Sequence, residues 1–95
     1  MPPLDDTTAL VTGASQGIGR RIALTLAEHG ADVACAARSE GAIEETASMV
    51  EDRGCGAVAV RTDVTVESDI EAAVAATVEE LGGLDCLVNN AGIGG

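Results

Sequence analysis

The sequence contains no phenylalanine, tyrosine or tryptophan, and no lysine. Without aromatic rings the core forgoes the largest buried surfaces and must be assembled from many small aliphatic contacts. All five basic residues are arginines (Arg20, Arg21, Arg38, Arg53 and Arg61), set against 16 acidic residues for a formal net charge of −11. Such a charge repels phosphate backbones and anionic bilayers, so neither nucleic acid nor membrane is an expected partner. An acidic, lysine-free composition also looks halophilic, because high ionic strength would screen the self-repulsion.

Cysteine and histidine are scarce. Cys35, Cys55 and Cys86 are far apart with no C-x-x-C pair, and His29 is the single histidine. This excludes a disulfide framework and leaves no ligand set for zinc, so no metal is expected. The opening Met-Pro-Pro-Leu-Asp-Asp lacks the basic and apolar regions of a signal peptide, and no apolar run approaches membrane-spanning length. A soluble, cytoplasmic protein is the expectation. What the sequence does have is Ala, Val, Leu and Ile: 46% of it is hydrophobic, enough for a packed core and too much for disorder. The 95 residues, taken as one unit 1–95, make a single small domain.

Short apolar runs alternate with longer amphipathic stretches, the pattern of β-α-β units. Strands are expected at 8–12, 32–37, 57–62 and 84–89, with near-continuous apolar interiors suited to burial on both faces. Between them, Ile18, Ile22 and Leu26 form a four-residue row in a first helix, closed by Gly30. Ile43, Ala47 and Val50 form the stripe of a second helix, with Ser39 as candidate N-cap and Gly54 beyond its end. Ile70, Val74, Val78 and Leu81 form that of a third, with Thr65 as candidate N-cap and Gly82-Gly83 at its close. Right-handed crossovers then predict an α/β fold: a three-layer, Rossmann-type doubly wound parallel sheet in the order 3-2-1-4, truncated after the fourth strand. Ligands of such sheets bind beyond the carboxyl ends of the strands where the order reverses.

The residues that follow each strand therefore carry the functional argument. After the first comes Thr12-Gly13-Ala14-Ser15-Gln16-Gly17-Ile18-Gly19, opening a helix. Gly13 suits a tight turn, Gly17 a close approach to phosphate, and Gly19 close packing of helix on strand. Free amides near Ile18 suit a pyrophosphate, and Ser15 and Gln16 can add hydrogen bonds. The spacing is G-x-x-x-G-x-G, and the same glycines would also serve a purely structural turn. After the second strand stands Arg38-Ser39, where NAD-binding sheets place a carboxylate for the ribose 2′-hydroxyl. A guanidinium there, with Ser39 beside it, suits a 2′-phosphate and favours NADP over NAD. The alternative is a solvated arginine neutralising nearby glutamates. After the third strand, Asp63-Val64 can receive an adenine amino group, or Asp63 can simply make the turn into the third helix. After the fourth, Asn89-Asn90-Ala91-Gly92 can lie against the nicotinamide ribose, or the asparagines can tie strands together.

T-G-x-x-x-G-I-G at 12–19, Asp63-Val64, and N-N-A-G at 89–92, in this order, resemble the classical short-chain dehydrogenase/reductase family across essentially the whole chain. The resemblance implies pyrophosphate binding by Gly13, Ser15, Gly17 and Ile18, and 2′-phosphate binding by Arg38. It implies adenine contact by Asp63 and Val64, and ribose or sheet-stabilising roles for Asn89, Asn90, Ala91 and Gly92. The implied activity is hydride transfer between a nicotinamide cofactor and a small-molecule carbonyl or alcohol, in a longer parent protein that is a homo-oligomer.

The family's chemistry uses a tyrosine, a lysine four residues later, a serine, and an asparagine in the helix after N-N-A-G. Those positions fall beyond Gly95, and the sequence has no tyrosine or lysine to replace them. No catalytic residue is therefore assigned, and these 95 residues are expected to be inactive alone, as the cofactor-binding half of a longer enzyme. The competing expectation is a non-catalytic nucleotide-binding or interaction module, or a degenerate gene fragment. Leu84, Cys86, Leu87 and Val88 are expected on an exposed apolar sheet edge.

Overall fold

A computed structural model describes residues 6–90; Ala91 and Gly92 lie outside the described residues. The elements are β1 (Thr8–Thr12), α1 (Gly17–Glu28), β2 (Asp32–Ala37), α2 (Glu40–Glu51), β3 (Ala57–Arg61), α3 (Glu67–Leu81) and β4 (Cys86–Asn89). All three strand pairings are parallel and the sheet runs β3-β2-β1-β4, the expected order.

Strand alternation sorts the small aliphatic residues into two cores. Val11, Val33 and Cys35 face α1 and α2, joining Ala23, Ala27, Ile43, Ala47 and Val50. Leu10, Ala34 and Ala36 face the other way, where Ala73 of α3 covers them with Val58, Val60, Leu81 and Leu84 alongside. Helices thus lie on both faces and the sheet is the middle of three layers. Every residue of β1 is buried. At the starts of the strands, carboxylates hold the register: Asp85 accepts from the Thr8 amide at 2.9 Å and Asp32 from the Gly56 amide at 2.8 Å.

Helix periods follow the sequence, but two faces are turned. In α1 the buried residues are Gly19, Ala23 and Ala27, each one position after the expected row, while Ile18 is 62% exposed. Small residues face the sheet because α1 approaches it closely; the larger Ile22 and Leu26 pack at its flank. In α3 the buried positions are Ala73 and Thr77, and Val78 is 47% exposed. Thr77 satisfies its hydroxyl by donating to the Ala73 carbonyl one turn back, at 2.7 Å. Val66, not Thr65, caps α3; Ser39 occupies the cap of α2 without a side-chain bond. β3 ends at Arg61 and β4 starts at Cys86, each shorter than expected, since Leu84 turns into the α3-side core.

Among the described residues β4 is an edge strand, with Cys86 exposed and Leu87 51% exposed. Cys35 sits at the opposite extreme, fully buried. Burial pushes its thiol up from 9.0 to about 12, with the nearby Arg20 charge pulling weakly the other way. An unfolded thiol ionises first, so the stability tied to this group is intact below pH 9.0 and is lost as pH rises from there towards about 12. Alkylation by iodoacetamide near pH 8 should therefore modify Cys86 promptly and Cys35 only after denaturation. Mass-spectrometric mapping checks this, and rapid modification of Cys35 in the folded chain would contradict it.

Candidate functional site

Because the strands are parallel, the loops that follow β1, β2 and β3 meet at one rim, together with Asn90 just beyond β4. Leaving β1, Gly13 has φ 66° and Gly17 φ 59°, left-handed conformations that side chains seldom adopt. A side chain at Gly17 would meet nothing within 4 Å, so space stands open there. At Gly19 the reverse holds: a Cβ would collide with the Gly13 carbonyl oxygen and come 2.7 Å from Asn90 Nδ2. α1 begins here with extended Gln16 at its cap, no side-chain cap bond and no acidic residue in its first turn. α2 opens with Glu40, and α3 with Glu67 and Asp69. The first amides of α1 are thus left free to donate to an anion.

Beside this loop lies a groove of about 490 Å³. Gly13, Ser15 and Gln16 form one wall, Arg38 and Ser39 another, and Asp63 and Val64 a third. Seven of the expected site residues are therefore brought together, with Ala37, Thr62 and Thr65 added to the lining. Gly17 and Ile18 adjoin Gln16 at the same rim but outside the lining. Arg38 is exposed and forms no ion pair with any described residue, so no glutamate claims it.

Asp63 does make the turn into α3. Its Oδ1 accepts from the Thr65 hydroxyl at 2.6 Å and the Thr65 amide at 2.9 Å, while its own amide donates to Asp69. These two bonds, hydroxyl first, hold its carboxyl below the ordinary range, aided more weakly by Arg38 and Arg61. With the folded value lowered, the turn keeps its contribution above the ordinary aspartate value of about 4 and loses it as pH falls below that. A carboxyl-detected NMR titration should find Asp63 ionised after ordinary aspartates have protonated, and Thr65→Val should bring it back towards them.

The asparagines tie strands. Thr12 Oγ1 donates towards Asn89 Oδ1 at 3.1 Å and accepts from the Asn90 amide at 3.0 Å. Asn90 Nδ2 reaches the Gly13 carbonyl at 3.4 Å, joining β4 to the glycine loop. A second tie was not anticipated: fully buried Thr46 of α2 bonds both Arg20 and the Ala14 carbonyl. Its signal was present, since position 46 falls on the same stripe as Ile43, Ala47 and Val50, where a threonine must be buried and bonded.

With this geometry in place, the chain can be set beside known proteins. It matches the short chain dehydrogenase family over residues 7–95. It is 47% identical over 90 residues to the 3-oxoacyl-[acyl-carrier-protein] reductase FabG of Vibrio cholerae, covering 95% of this chain and 36% of that protein. It is 45% identical over 94 residues to the L-rhamnose 1-dehydrogenase (NAD(P)(+)) of a Sphingomonas species, covering 98% and 37%. Among solved structures, hydroxysteroid dehydrogenase from Escherichia coli superposes with a TM-score of 0.91 at 39% identity, over 98% of this chain and 40% of that one. The chain thus spans a little over a third of the length of these relatives. Glycine loop, strand order and three-layer packing agree with that likeness, and the chain belongs to the short chain dehydrogenase family.

Proposed function

We propose that the groove seats the adenosine and pyrophosphate of NADP, within an oxidoreductase that passes hydride between nicotinamide and a carbonyl or alcohol substrate. Membership of the family implies a nicotinamide dinucleotide; the preference for its 2′-phosphorylated form rests on this chain's own residues. The observation that carries it is Arg38, exposed and without an ion pair among the described residues, lining the same groove as Gly13 and Ser15. A guanidinium offers parallel N–H donors to a phosphate, which a ribose hydroxyl cannot match.

In this assignment the amides of the glycine loop and the start of α1 hold the pyrophosphate, with Gly17 leaving room for it. Ser39 supports the 2′-phosphate beside Arg38. Val64 packs the adenine and Asp63 receives its amino group through Oδ2, since Oδ1 is already engaged. Asn89, Asn90, Ala91 and Gly92 border the nicotinamide ribose. The bound cofactor supplies the hydride; these residues bind and orient it, and with no tyrosine or lysine among the 95 residues none is assigned a proton to move.

Isothermal titration of the chain with NADP+ and with NAD+ tests the proposal. Saturable binding is expected, tighter for NADP+. Equal affinities would remove Arg38 from its role, and absence of binding by either would remove the site.

A further inference from the structure

Thr46 lies at the middle of α2, on no loop that follows a strand, yet its hydroxyl is the bond partner of the glycine loop. Three contacts surround it. Arg20 Nε is 2.8 Å away, the Ala14 carbonyl oxygen 2.8 Å, and the Ala42 carbonyl oxygen 3.2 Å. A guanidinium donates and never accepts, so the hydroxyl must receive from Arg20 and keep its single hydrogen for a carbonyl. Ala42 is already served by Arg20 Nη2 at 3.1 Å. The hydrogen therefore goes to the nearer Ala14 oxygen. Arg20 is itself held in place by Glu45 at 2.8 Å.

The consequence lies on the other side of the same peptide. No peptide bond among the described residues is cis, so the Ala14 carbonyl and the Ser15 N–H point in opposite directions. Drawing the Ala14 oxygen towards Thr46 turns the Ser15 amide away from α2. Ser15 lines the groove, and no described residue accepts from its amide. The preceding peptide is fastened as well, with the Ala14 amide donating to the Ala36 oxygen at 3.3 Å.

We propose that Thr46, oriented by Arg20, is a positioning residue for the pyrophosphate: it fixes the plane of the Ala14–Ser15 peptide so that the Ser15 amide is presented to the anion. This rests on the groove being the dinucleotide site. It assigns affinity for the diphosphate to a side chain that touches no ligand.

The test compares wild type, Thr46→Val and Thr46→Ser of the full chain against NADP+ by calorimetry and adenosine 2′-monophosphate by NMR titration. The second probe lacks the pyrophosphate. Thr46→Val should weaken NADP+ roughly tenfold, the scale of one lost buried hydrogen bond. It should leave adenosine 2′-monophosphate unchanged, and Thr46→Ser should restore NADP+ binding. If valine is not tolerated in the fold, Thr46→Ala replaces it in the comparison with serine. Equal NADP+ affinity in wild type and the hydroxyl-free variant would overturn the inference, as would an equal loss for both probes. Wild type binding neither probe would overturn the dinucleotide site itself, a result distinct from the other two.

Discussion

Replacing Gly19 by alanine should destabilise the chain by about 3 kcal/mol, at the upper end of what overpacking costs. The added methyl would meet the Gly13 carbonyl oxygen, come 2.6 Å from the Gly13 carbonyl carbon and 2.7 Å from Asn90 Nδ2. Two of these are backbone atoms, which cannot swing aside as the tip of a long side chain can. α1 must therefore lift from the sheet, or the glycine loop, which Asn90 joins to β4, must move. For a domain of this size that loss lowers the melting temperature by roughly 12–24 °C. Thermal denaturation followed by far-ultraviolet circular dichroism measures it. A variant melting within a few degrees of wild type would show that the approach of helix to loop is not as tight as described. Gly17→Ala makes the control: space is free there, and the cost is that of a side chain at φ 59° alone.

Reversing the charge at Arg38 should have the largest effect on binding. Arg38→Asp removes a bidentate donor from the groove and puts a carboxylate where we place a phosphate dianion. NADP+ affinity should fall roughly a hundredfold, the equivalent of a charged hydrogen-bond pair. NAD+ should bind as well as before or better, because an acidic side chain suits the free 2′-hydroxyl. Arg38 is exposed and unpaired among the described residues, so folding should survive the change and the melting temperature should hardly move. An unaltered ratio of the two affinities would refute the assignment.

Strand positions, parallel pairing and the order 3-2-1-4 were all legible in the sequence, because buried parallel strands leave uninterrupted apolar runs and crossover handedness leaves few layouts. The faces of α1 and α3 were not. A row of large aliphatics such as Ile18, Ile22 and Leu26 looks like the inward face, yet a helix packed close to a sheet turns its smallest residues inward. Hydrophobicity scored the wrong quantity there; volume decided. The same holds for Thr77, which passes as a polar interruption until its bond to the turn below is seen.

At the site, the loops reach one rim as expected, but Asp63 and the two asparagines are committed to internal bonds that spacing alone left open. Thr46 escaped notice because its partner is 32 residues away in a loop judged by its glycines. A threonine on an otherwise apolar stripe is the one trace such a tie leaves in sequence.

The clasp of Asn89 and Asn90 on Thr12 and Gly13 has a dynamic consequence. Among the described residues, β1 has a bonded neighbour along each edge and helices over each face, whereas β4 is bonded along one edge only. Amide hydrogen exchange should consequently be slowest in β1 and begin at β4, whose fraying lets go of the Gly13 carbonyl at the same moment. A ligand that needs the loop intact then suppresses the opening of a strand it borders only at Asn89, and exchange at Cys86, Leu87 and Val88 becomes a remote gauge of occupancy.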